Sequence, residues 1–108
     1  MVSDDPIAVL TVPGLLGRSR RFDIDVGLLV RVPNDTPADT AWLELAVEFD
    51  GQRQWSRRIP AHNPGQTDSL DYHQRVLLEA EQALRIRAVA TVRGVRVREL
   101  VIEAREDA

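Results

Sequence analysis

The sequence contains no cysteine and no lysine, and each absence excludes a group of functions. All 14 basic residues are arginine, set against 17 acidic residues and a net charge of −3. Without thiols the chain has no disulfide framework, thiolate nucleophile or zinc-thiolate site, so its fold depends on a hydrophobic core alone. The negative charge opposes general polyanion binding, because nucleic-acid-binding domains usually carry a basic excess.

Long apolar segments are absent as well. No stretch approaches the roughly 18 apolar residues that a membrane-spanning helix requires. The first residues, MVSDDPIAVLTV, are acidic where a signal peptide is basic. We therefore expect a cytoplasmic protein with no membrane partner, or a segment of a larger protein. With 108 residues, 44% of them hydrophobic and 29% charged, the composition indicates one globular domain spanning residues 1–108.

Alternation of apolar and polar residues with a period of two runs through most of the chain. The clearest strand is FDIDVGLLVRV, in which every second residue from Phe22 to Val32 is apolar. Seven such runs separated by turn signals predict an all-β fold, an antiparallel two-sheet sandwich with the immunoglobulin-like or fibronectin III-like architecture. The likeness is architectural, because the Cys…Trp…Cys pattern of immunoglobulin domains is missing. A jelly roll or small barrel is the alternative.

The pairing around Asp50-Gly51 decides which residues reach the surface. This dipeptide is a strong hairpin signal, because a type I′ turn requires positive φ at both central residues. Direct pairing across the turn sets Glu44 opposite Arg57 and directs four apolar side chains outward: Trp42, Ala46, Trp55 and Ile59. A loop one residue longer exchanges the two faces of the returning strand and places Trp55 in the core. The sequence leaves both registers open.

Arg93-Gly94 is the second predicted turn, and we expect the strands on either side of it to pair as a hairpin. The apolar phase slips after Val97, which predicts a β-bulge near Arg98-Glu99. In this arrangement the outer face gains two more apolar residues, Val89 and Val101.

Arginine alternates with apolar residues at both ends of LRIRAVATVRGVRVRELVIE, residues 84–103. In an immunoglobulin-like order the strand over residues 41–49 lies beside this run and brings Glu44 and Glu48 toward Arg85 and Arg87. Opposite charges across strands contribute about 0.2–1 kcal/mol per pair and help to set the register. No aromatic residue lies in the run to stack on bases. We therefore interpret the ladder as paired charge on a solvated strand face.

The predicted functional surface is the outer sheet face that carries the tryptophans. An apolar centre ringed by arginine and glutamate is typical of a protein interface. Seven residues form the predicted binding site: Trp42, Glu44, Ala46, Trp55, Arg57, Val89 and Val101. The leading hypothesis is a non-enzymatic interaction module that binds a protein partner or forms a homodimer.

Two alternatives involve other ligands. Exposed indoles flanked by Glu44 and Arg57 also suit a carbohydrate-binding module. Anion or nucleic-acid binding, which the net charge opposes, would use four arginines: Arg85, Arg87, Arg96 and Arg98. Polyanion affinity would fall steeply with ionic strength, whereas an apolar surface would tolerate salt.

Patterns for catalysis and metal binding are missing from the sequence. No Gly-x-Ser-x-Gly nucleophile motif and no phosphate-binding glycine loop is present. His73 follows Asp71 by two residues, a pair that can orient an imidazole or hold a metal, but no third ligand lies nearby in sequence. His62 would supply one only if its loop folded back. We expect no catalytic residue, no metal and no cofactor.

Overall fold

The computed structural model describes residues 6–35, 40–61 and 63–107. These residues form seven strands: β1 (Ile7–Val12), β2 (Arg20–Arg31), β3 (Trp42–Phe49), β4 (Gln52–Pro60), β5 (Thr67–Leu78), β6 (Leu84–Arg93) and β7 (Arg96–Glu106). The described part of the chain contains no helix that could cross a membrane.

The seven strands form two antiparallel sheets, which confirms the predicted all-β sandwich. Sheet A has the strand order β1-β6-β3-β4, and sheet B has the order β5-β2-β7. In the immunoglobulin constant domain the first strand lies beside the second and the last beside the sixth. Here β1 lies beside β6 and β7 beside β2, so the two terminal strands have exchanged sheets relative to that order.

The core lies between the sheets and is built from alternate residues of three strands, β2, β3 and β6. Twelve of its apolar side chains are buried there: Phe22, Ile24, Val26, Leu28, Val30, Leu43, Leu45, Val47, Leu84, Ile86, Ala88 and Ala90. Full burial of a large apolar side chain contributes about 1.5–3 kcal/mol. The intervening residues of the same strands therefore form the two outer faces, where a ligand can bind.

The predicted hairpin across Arg93-Gly94 is wrong, because β6 and β7 lie in different sheets. The edge of β6 is occupied by β1, with Ile7 opposite Val89. β7 pairs instead with β2, where Arg105 Nη2 lies 2.6 Å from Asp25 Oδ2. Sequence alternation could not decide between these partners, since the inward residues of β7 reach the same core from either sheet.

The β-bulge predicted near Arg98-Glu99 is confirmed, although it forms against β2. Leu29 pairs with Glu99 and Val30 pairs with Val97, so Arg98 is the extra residue. The bulge returns the later apolar residues of β7 to the core side, as the slip in the apolar phase requires.

The Asp50-Gly51 hairpin is confirmed. Both central residues have positive φ, 50° at Asp50 and 83° at Gly51, as a type I′ turn requires. Phe49 pairs directly with Gln52 across the turn. The backbone N–H of Arg85 donates to Asp50 Oδ1 at 2.9 Å, which ties the turn to β6.

A second bulge, in β4, turns Trp55 into the sandwich. Val47 pairs with Trp55, which leaves Gln54 as the extra residue. The direct register is therefore wrong beyond Arg53, and Trp55 and Ile59 pack against the core instead of facing solvent. The Trp55 ring stacks on Tyr72 of β5 with 5.1 Å between ring centroids, so it links the two sheets.

Replacing Gly51 by valine is expected to destabilise the domain by about 1–3 kcal/mol, because a β-branched residue is strained at positive φ. No atom lies within 4 Å of a Cβ built at this position, so the loss comes from the backbone and not from a clash. Urea unfolding measures the effect, and Gly51→Asn serves as the control that tolerates positive φ. A neutral valine would contradict the turn assignment.

The two tryptophans are expected to differ in their contribution to stability. Trp55→Ala should lower the free energy of unfolding by about 3 kcal/mol, because it empties an aromatic site between the sheets. Trp42→Ala should cost less than about 1 kcal/mol, since it removes a surface cation–π contact. Denaturant titration of both variants makes the comparison, and equal losses would contradict the inward placement of Trp55.

Candidate functional site

Four of the seven predicted site residues share the outer face of sheet A: Trp42, Glu44, Ala46 and Val89. Ala46 lies opposite Val89, and Val89 lies opposite Ile7 of β1. Ile7, Val89 and Ala46 therefore form one row of apolar side chains across β1, β6 and β3. Ala46 is only 8% exposed although it is on the outer face, because its neighbours cover its small side chain.

The other three predicted residues lie elsewhere. Trp55 and Arg57 belong to the inner phase of β4, where Arg57 pairs with Leu45. Val101 lies on the outer face of sheet B, opposite Gly27. The bulge at Gln54 moves the first two residues, and the transfer of β7 to sheet B moves the third. The structure thus brings together only the part of the site that comes from β3 and β6.

The largest exposed apolar side chains on the outer face of sheet A belong to β1, a strand that contributes none of the seven predicted site residues. Ile7 is 52% exposed and Val9 is 48% exposed. Together with Ala46 and Val89 they form what we call the apolar strip. The signal for it was the composition of IAVLTV, a strand whose solvent-facing positions carry no charge. The sequence alone does not indicate which strand β1 pairs with.

Ion pairs flank the apolar strip. Val9 lies opposite Arg87, and Arg87 Nη1 lies 2.9 Å from Glu48 Oε2. This contact confirms that Glu48 pairs with the arginine ladder. Glu44 pairs with Arg58 instead, with 3.3 Å between Oε1 and Nε. Such pairs contribute little to stability, but they neutralise the charges next to the apolar side chains.

The Trp42 ring is covered on one side by a guanidinium. The Cζ atom of Arg58 lies 3.8 Å from the ring centroid, and the same guanidinium binds Glu44. A cation over an indole face is stabilised by the ring quadrupole. With Trp55 turned inward, the face does not present the pair of open indoles that a sugar platform requires.

The arginine ladder is divided between the two outer faces. Arg85 and Arg87 lie on β6 in sheet A, whereas Arg96 and Arg98 lie on β7 in sheet B. Arg87 is bound to Glu48. The four arginines therefore do not converge on one surface, as recognition of a nucleic-acid backbone would require.

Sheet B carries a charge network on its outer face, centred on the two aspartates of β2. Arg75 Nε lies 3.1 Å from Asp23 Oδ1, and His73 Nδ1 lies 2.8 Å from Asp25 Oδ1. The hydrogen bond and the charge of Asp23 raise the pKa of the Arg75 guanidinium above its usual value. His73 thus contacts an aspartate across the sheet, and not the Asp71 that precedes it in sequence.

Metal binding receives no support in the part of the chain that the structure describes. Those residues contain no group of three or more histidine, cysteine, aspartate or glutamate side chains arranged to hold an ion. His62, considered from the sequence as a third ligand, lies outside the described residues.

A surface depression of about 340 Å³ lies over Gly27 on the outer face of sheet B. Its lining includes Asp71, His73 and Val101, one of the predicted site residues. The depression forms because Gly27 has no side chain between the neighbouring residues Asp71 and Val101.

Removing the guanidinium over Trp42 should open the ring to solvent. In a Trp55→Phe background, where Trp42 is the remaining tryptophan, Arg58→Ala is expected to increase acrylamide quenching of the fluorescence. Arg57→Ala is the matched control, because Arg57 lies on the opposite phase of the same strand. Equal quenching in the two variants would contradict the stacked arrangement.

The apolar strip and its flanking ion pairs are the surface that the geometry distinguishes from the rest of the sandwich. No protein-family model matches the chain, and no curated protein matches it either.

Proposed function

We propose that this protein is a non-enzymatic binding module that recognises another protein through the outer face of sheet A. The exposure of Ile7 and Val9, at 52% and 48%, carries the proposal. These side chains continue into Val89 and Ala46, so the strip spans β1, β6 and β3. Covering such a surface contributes about 25 cal/mol per Å² of apolar area removed from water.

The surroundings of the strip have the organisation of a protein interface, with an apolar centre and a polar rim. The rim includes Arg87 with Glu48 and Arg58 with Glu44, all held in ion pairs. A partner that covers the strip therefore does not leave these charges unpaired in an apolar environment. Burying an unpaired charge would cost several kcal/mol. Trp42 lies at one end of this rim and provides a large aromatic contact.

Carbohydrate and polyanion binding have less support on the same face. A sugar ring would have to displace the Arg58 guanidinium from Trp42, and Trp55 is stacked on Tyr72 between the sheets. A polyanion would meet Arg87 already bound to Glu48. Protein recognition uses the exposed aliphatic side chains, which neither alternative needs.

A photo-reactive benzoylphenylalanine at position 89 tests the proposal. Irradiation of cells that produce this variant is expected to yield a cross-linked protein adduct, because Val89 lies in the middle of the strip. The matched control carries the same group at Val101, a valine on the outer face of sheet B. Mass spectrometry identifies the adduct.

Two results would contradict protein recognition by this face. One is the absence of any adduct at position 89, and the other is equal labelling at positions 89 and 101. Loss of a purified partner's binding in Val89→Arg, with the circular dichroism spectrum unchanged, would confirm that the cross-link reports the binding surface.

A further inference from the structure

We propose that a second copy of the same chain adds edge to edge at β1, beside the apolar strip. The two four-stranded sheets A would then form one continuous antiparallel sheet. The inference goes beyond the proposed function, because it concerns the backbone edge of β1 and not the outer face that carries the apolar strip.

β1 is the one sheet edge in the described residues that carries no charge. The edge strands are β1 and β4 in sheet A and β5 and β7 in sheet B. β4 reads QRQWSRRIP, β5 reads TDSLDYHQRVLL and β7 reads RVRELVIEARE, whereas β1 reads IAVLTV. Charged side chains and proline on an edge strand hinder pairing with another sheet. Three edges have this protection and β1 does not.

The backbone of β1 presents a regular set of donors and acceptors outward. The N–H of Ala90 donates to Pro6 O at 3.0 Å, and Ile7 lies opposite Val89 in the antiparallel ladder. In such a ladder hydrogen-bonded pairs alternate with non-hydrogen-bonded pairs. The N–H and C=O groups of Ile7, Val9 and Thr11 are therefore directed away from β6, toward the edge. An incoming strand is the ligand that satisfies this pattern.

A two-fold axis at Val9 matches these groups to themselves. Val9 then faces Val9 of the second copy, and Ile7 faces Thr11, so every outward donor in this segment meets an acceptor. Such an interface is isologous, the commonest arrangement in soluble homo-oligomers. It also sets the apolar side chains of the two strips side by side on one face of the joined sheet.

Charge favours a copy of this chain over an unrelated strand with a charged edge. Antiparallel self-pairing places Val9 opposite its own equivalent at the axis, where a charge would repel itself, and β1 contains no charge. Arg87, which lies opposite Val9 in the next strand, is held by Glu48 with 2.9 Å between Nη1 and Oε2. Because a six-residue ladder is a small interface, the dimer is expected to be weak and concentration-dependent.

Sedimentation velocity between about 10 µM and 1 mM, a range suited to weak association, should show a reversible dimer of the unaltered chain. Val9→Lys and Val9→Glu should each be monomeric, because position 9 faces its own copy. An equimolar mixture of the two variants should recover the dimer by pairing lysine with glutamate. Val101→Lys, on the other sheet, is the matched control and should dimerise normally. Circular dichroism checks that each variant is folded.

A cysteine at position 9 provides a second measurement if a charged variant does not fold. The chain has no thiol of its own, and Cα atoms of a hydrogen-bonded antiparallel pair lie about 5.5 Å apart, within disulfide range. Val9→Cys should form an intermolecular disulfide much faster than Val101→Cys. Equal rates would overturn the proposed pairing.

A monomer at every concentration would overturn this inference, as would a mixture of charge variants that stays monomeric. Neither result decides the proposed function. If the chain is monomeric and the cross-linker at position 89 captures a different protein, the face still binds a partner and only the self-pairing fails. If position 89 gives no adduct at all, the proposed function fails, and the sedimentation experiment still decides the self-pairing.

Discussion

The interlocking of alternate apolar residues from β2, β3 and β6 between the two sheets is the constraint on which the rest of the structure depends. Ile24 of β2, Leu45 of β3 and Ile86 of β6 are each 0% exposed. Because the chain has no cysteine to form a disulfide, this burial is the main source of stability. It also determines which side chains are available for binding, because a residue that alternates with a core residue points to an outer face.

Features set by local chemistry were predictable from the sequence. The Asp50-Gly51 turn follows from a requirement for positive φ, and the bulge at Arg98 follows from the slip in apolar phase after Val97. The bulge at Gln54 was not predictable in the same way. The residues on either side of Gln54 could each lie on the inner or the outer face of sheet A. The inward position of Trp55 depends on a stack with Tyr72 from a distant strand.

The choice of sheet for the terminal strands also depends on distant contacts. β1 and β7 could each continue the core from either sheet, and the observed arrangement sets Arg105 against Asp25 while leaving the uncharged β1 on β6. The candidate site was therefore predicted only in part. Val89 and Ala46 were identified because β3 and β6 pair as expected, whereas Ile7 and Val9 required the position of β1.

The exchange of β1 and β7 has a consequence for recognition. If β7 lay at the edge of sheet A, that edge would present Arg96, Glu99 and Arg105, and charge would discourage another strand from pairing there. Placing β1 at this edge instead gives sheet A one protected side, β4, and one unprotected side. A sheet with a single open edge can add one further sheet and then has no second unprotected edge from which to grow. In the proposed self-pairing, the protected edge at β4 would therefore limit the assembly to a closed dimer and not an extended one.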